Sequence, residues 1–335
     1  MSDHSMFRKF CSNLVFFMMF STLISGCSDS IDKKNNIESP STHETDIPTQ
    51  AEQSISTLTE ETSTKTAFFI DIVDEHFSEL IKKSQKLHET LINFTKKPSN
   101  EGLQTTIKAL EDSHSLFVSG YFLDTCCIIY SQYPTKDGNN LSSIALKTRL
   151  DQQPLLPGYL DVVDGYPFSG LIYSDIPITR ENMEQEFQLG DPAYVTLGFH
   201  ALELILKGSN QNRKVSDFST LTSTNDTSTA PAGLRRTLYT ILLASEIEKD
   251  ILILKLAWEE NLRKQLLQNT VTQENSFFLM LNLKVQEELQ SMGSEQANPK
   301  NNNTQLNGHF NLESLALKQT LLEKFASLEH LETEP

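Results

Sequence analysis

His200 and Glu203 stand three residues apart in the segment Gly198-Phe199-His200-Ala201-Leu202-Glu203. Each helical residue turns its side chain by about 100°, so a three-residue step returns imidazole and carboxylate to nearly one face. There they can converge on one ion or one substrate, a spacing that metal sites in helical bundles use. The same spacing recurs at His76 and Glu79, where a solvated helix face accounts for it. What separates the two pairs is their surroundings. Ala193, Val195, Leu197, Phe199, Ala201, Leu202, Leu204, Ile205 and Leu206 enclose His200 and Glu203 almost continuously, which implies a helix buried on most faces. A buried histidine and glutamate need partners or a ligand. Gly198 points the same way, because a glycine inside a helix costs about 1 kcal/mol relative to alanine. Its presence implies close approach of another backbone or of a ligand, with tight helix packing as the plainer account.

The segment from Gly198 to Glu203 resembles the GxHxxE signature of the imelysin-like family, also described as the insulin-cleaving membrane protease family. Asp164-Gly165-Tyr166-Pro167-Phe168-Ser169-Gly170 is similar to the stretch ahead of that signature, and Arg235-Arg236-Thr237-Leu238-Tyr239, continuing to Trp258, to the helix after it. The resemblance covers residues 66–268. Beyond them the family's glutamate- and serine-bearing motif is not found, so the C-terminal half is reduced. The resemblance implies an all-α fold of two bundles related by duplication, with the signature near their interface. It also implies a role in iron uptake or regulation, and it carries a peptidase label. On that basis His200 and Glu203 are expected to hold a divalent metal, iron or zinc, or a small ligand. In a peptidase His200 would hold zinc and Glu203 would be a ligand or the general base.

The zinc-peptidase motif HExxH brings two histidines, whereas this segment offers one, so a catalytic zinc here needs a third protein ligand and a water. Asp161, Asp164, Asp175, Asp191, Glu184 and Glu186 are the candidates. Asp164 is the first to test, with a turn residue as its plainer role. Asp191 reads better as a helix N-cap. Arg235 and Arg236 are candidates for binding a ligand carboxylate, or for pairing with the acidic surface.

The elements that must position these residues read as helices. Phe77, Leu80, Ile81, Leu87, Leu91 and Phe94 recur at three- and four-residue steps between 66 and 97, and Pro98 ends that run. A second stripe, Leu103, Ile107, Leu110, Phe117, Val118 and Tyr121, predicts a helix over 99–123. Residues 131–190 are punctuated by Pro and Gly yet carry aromatic and aliphatic side chains, so they read as an ordered irregular segment with a helix near 142–150. Asp191-Pro192 predicts a helix start and Gly208 its end. Loop 209–231 precedes a long helix over 232–268, and further helices are expected at 276–292 and 312–331, separated by a linker at 293–308. The expected organisation is a first bundle over 66–208 and a shorter second one over 232–335.

Ahead of the body, Arg8 and Lys9 precede the apolar run Leu14 to Ile24, which is too short to span a bilayer and fits a secretory signal. Leu23-Ile24-Ser25-Gly26-Cys27 resembles the bacterial lipobox, so residues 1–26 are expected to be cleaved and Cys27 to be lipidated. Ser28 rather than aspartate after Cys27 favours the outer membrane in a cell with two membranes. Such anchoring suits the imelysin-like family, whose members are typically envelope proteins, and it makes envelope iron-uptake components the expected partners. Residues 27–65 are polar, contain Pro40 and Pro48, and read as a disordered tether. The chain carries 28 Lys+Arg against 44 Asp+Glu, a net −16. Loss of Arg8, Lys9 and Asp3 with the signal leaves −17. That balance argues against nucleic-acid binding, which rests on clustered cations. Of four cysteines, the adjacent Cys126 and Cys127 remain, read as small buried residues. Three functions stay open: a metal or ligand binder, a metallopeptidase, and a non-catalytic interaction module.

Overall fold

The computed structural model describes residues 63–123, 141–219, 229–297 and 312–331. The expected signal, Cys27, nearly all of the tether, Cys126-Cys127 and most of the 293–308 linker lie outside them. The described residues belong to the compact unit Leu58–Pro335. They form α1 (Thr64–Lys96), α2 (Asn100–Ser119), α3 (Leu141–Leu150), α4 (Arg180–Glu186), α5 (Phe199–Lys207), α6 (Ala232–Trp258), α7 (Val271–Ala297) and α8 (Leu312–Ala326). Among them there is no strand, only an isolated bridge between Val163 and Tyr166. The fold is all-α, as the sequence pattern predicts.

Local chemistry sets the helix ends. Ser63 and Ser99 cap α1 and α2, their hydroxyls accepting from Thr66 N at 3.1 Å and Gly102 N at 3.0 Å. The three residues between α1 and α2 leave room only for a tight turn, so the helices pack side by side.

Two apolar cores result, and α1 runs through both. Its later turns place Leu80, Leu87, Leu91 and Phe94 in a core with α2, α5, α6 and residues 150–197, a largely irregular stretch that includes α4. Its first turns place Phe69, Ile70, Ile72 and Val73 against Trp258, Leu262, α7 and α8. The cores therefore do not divide at loop 209–231. Helix α6, assigned from sequence to the second bundle, packs on α1 and α5, while α8 packs back on α2.

Three boundaries differ from the sequence reading. Helix α7 runs over Val271–Ala297, beyond both ends of the expected 276–292 and into the first residues of the expected linker. The helix expected from Asp191 begins only at Phe199. Asp191 accepts from Ala193 N at 2.8 Å, a turn closed by the side chain rather than a helix cap. Residues 193–198 instead run irregularly, braced from outside: Thr196 Oγ1 donates to Met183 O and the Tyr239 hydroxyl to Thr196 O, each at 2.6 Å. The long helix over 232–268 is interrupted by a π turn at Glu259–Arg263. Beyond Trp258, Leu262 and Leu266 follow at four-residue steps and enter the second core.

Candidate metal centre

Helix α5 begins where two pieces of backbone touch. Gly198 has φ 88°, and a Cβ there would overlap the carbonyl oxygens of Arg149 and Leu150 at the end of α3. Gly198 is thus not inside a helix, as the spacing suggested, but just ahead of one. The close approach inferred for it is real, and the approaching group is backbone. Asp151 follows Leu150 directly, so the contact delivers its carboxylate to the first turn of α5. Arg149 fixes the same end of α3 from the other side, its guanidinium gripping buried Asp250 on α6 and Glu184 on α4.

Asp151 Oδ1 lies between two imidazoles, 2.8 Å from His200 Nε2 and 2.6 Å from His114 Nε2. His114 is on α2. Its ring stacks on Phe199 at 4.9 Å between centroids and meets the His200 ring edge to face at 5.0 Å. The side chains of Asp151 and His200 are almost wholly buried, and that of His114 retains 16 % exposure. Among the described residues His114, Asp151 and His200 form a group whose donor atoms all lie within 4.8 Å of one another. Donors around a bound zinc or iron sit about 3 Å apart, so a small outward relaxation of the two imidazoles admits an ion. Two imidazoles and one carboxylate are also a donor set that such metals accept. The Gln153 side-chain amide lies over the His200 ring, 3.0 Å from Nε2 and 3.3 Å from Nδ1.

Glu203 is on the other edge of the His200 ring, its Oε2 3.7 Å from Nδ1. Its Oε1 accepts from Lys207 Nζ at 2.9 Å, and Lys207 also donates to Glu111 Oε1 on α2 at 2.8 Å. Burial opposes the His200 cation, but the carboxylates of Asp151 and Glu203 outweigh it and raise the imidazole to about 9. The His200 imidazole, and then Lys207, hold the Glu203 carboxyl at about 2 against the opposing effect of burial.

The sequence candidates distribute as follows. His200 is in the convergent group and Glu203 beside it. Asp164, the leading candidate for a third ligand, is exposed and paired with Asn210 beyond the C-terminal end of α5, whereas His200 is in its first turn. Asp161 is buried between Arg236, through two 2.8 Å bonds, and Arg213 at 2.6 Å. Glu184 pairs with Arg149 and Arg180, Glu186 with the Tyr159 hydroxyl, and Asp175 is exposed. None of these six acids, Asp191 included, is in the group. Arg235 and Arg236 are buried and hold loop 161–176: Arg235 donates to the carbonyls of Leu171, Ile172 and Ile176, and Arg236 to Asp161. These bonds tie both guanidiniums to the loop. His76 is not on a solvated face. It is buried against Gly120, while Glu79 is exposed beside Lys82.

His114 and Asp151 were missed by the sequence reading. A signal existed for the first, since Glu111 precedes His114 by the same three-residue step that joins His200 to Glu203. For Asp151, just past a ten-residue helix, there was none. Compared with known proteins, the chain matches no protein-family model and no curated protein.

Proposed function

We propose that this chain is a membrane-anchored envelope lipoprotein that binds one divalent metal ion, iron(II) foremost, at His114, Asp151 and His200 in metal acquisition or sensing. The observation that carries the reading is the buried convergence of two imidazoles on one carboxylate. Two histidines and a carboxylate with remaining positions open are the donor set of non-haem ferrous centres. The resemblance of Gly198–Glu203 to the imelysin-like signature, and of Leu23–Cys27 to a lipobox, supports an iron role at a membrane surface. Envelope iron-uptake components are the partners this reading names. It is favoured over peptide hydrolysis because Glu203 is bonded to Lys207 and faces the ring edge away from Asp151.

The test is metal content after anaerobic loading with Fe(II) or Zn(II), in the wild type and in His114→Ala, Asp151→Asn and His200→Ala. One metal per chain in the wild type and little in each variant is expected. Equal content in all four proteins would overturn the reading. Cleavage of an unfolded protein that stops on adding a chelator would instead restore the peptidase alternative.

A further inference from the structure

Helices α2 and α5 each supply a histidine and a glutamate three residues apart, Glu111 with His114 and His200 with Glu203. The four side chains segregate. Both histidines meet at the Asp151 carboxylate, and both glutamates meet at the Lys207 ammonium. The two nitrogens of an imidazole point away from each other. An ion held by His200 Nε2 beside Asp151 is therefore out of reach of a carboxylate that faces Nδ1. Glu203 is also committed on its other oxygen, by an ammonium that is itself anchored to a second helix.

We propose that Glu203 is not a metal ligand but the outer partner that orients His200 through Nδ1, and that Lys207 clamped to Glu111 holds it in that role. The inference rests on the metal reading above. Among the described residues the coordinating face is then His114, Asp151 and His200. A carboxylate on the far nitrogen of a ligating histidine fixes which nitrogen carries the proton and makes the other a better donor. Lys207 has a further consequence. In two-metal bundle sites a second ion lies among glutamates contributed at this helical step. Here an ammonium occupies the place between Glu111 and Glu203, so the site takes one ion.

Cobalt(II) added to the full chain in detergent tests the assignment, because its visible bands report the ligand set while titration reports affinity. Glu203→Ala is expected to bind one cobalt with the wild-type bands and roughly 10- to 100-fold weaker affinity. Glu203→Gln, which keeps an oxygen acceptor in place, recovers part of that loss. Lys207→Met weakens binding in the same direction with the bands unchanged. His200→Ala shifts the bands. Shifted bands in Glu203→Ala make Glu203 a ligand and overturn the inference, as does undiminished affinity in both Glu203 variants. A wild type that takes up no cobalt removes the metal reading itself.

Discussion

The Asp151 carboxylate does in the metal-free protein what it would do around an ion: it holds two imidazoles at one point. Without metal, a proton takes the ion's place on His200. His200 is raised to about 9 because Asp151 and Glu203 outweigh its burial, so at neutral pH the metal-free ring carries a proton that an ion must displace. Metal ligation requires the neutral imidazole. Affinity should therefore climb with pH, by up to about tenfold per unit, and level off near 9. Isothermal titration with zinc between pH 6 and 9.5 reads this directly, and a flat profile below 9 means that His200 is not a ligand. The sequence exposed half of this site. His200 and Glu203 are neighbours on one helix, so their relation is written in a three-residue spacing. His114 and Asp151 are separated by 37 residues and belong to the site only because α2 and the end of α3 come together in space, which no local pattern records.

At the level of elements, the site depends on the crossing of α3 over the start of α5. Gly198 permits it twice over: its φ of 88° is costly for any other residue, and its missing Cβ leaves room for the Arg149 and Leu150 carbonyls. Gly198→Ala is expected to destabilise the fold by about 2–4 kcal/mol, from the strained backbone together with overpacking. Because Asp151 follows Leu150, the same change should lower metal affinity even in folded molecules. Thermal melting and metal titration of the variant, done together, check both effects; wild-type affinity would show that the α3 crossing does not place Asp151. This crossing also explains why the helix start was misplaced. Asp191-Pro192 satisfies the local rules for a start, and a glycine seven residues on reads as a helix-interior defect. The close backbone contact that gives Gly198 its positive φ, and the hydrogen bonds that hold Thr196 outside a helix, come from residues 13 to 49 positions away in sequence. By contrast α1 and α2, whose stripes and serine caps are local, start and stop within a few residues of expectation.

Across the whole molecule, α1 is the shared wall of two cores, and His76 lies between the residues it gives to each, Val73 to one and Leu80 to the other. Its amphipathic stripe was legible as a stripe, but nothing in it says that the first turns face α7 and α8 while the later turns face α2 and α6. The same limit hid His76, whose spacing to Glu79 looks like a solvated pair although the ring is enclosed against Gly120. Burial, and secondarily the nearby Lys324 charge, lower His76 to about 4. In the unfolded chain it titrates near its ordinary 6.5. Between those values the unfolded state binds the extra proton, so stability must fall as pH drops from 6.5 to 4, by on the order of 3 kcal/mol at the lower end. Other groups add their own pH dependence, and His76→Gln separates this contribution from theirs. Urea unfolding of wild type and variant across that range should give a steeper decline for the wild type, whatever the baseline cost of the substitution. Parallel curves would mean that His76 reaches water in the folded protein, and that the two cores do not close around it.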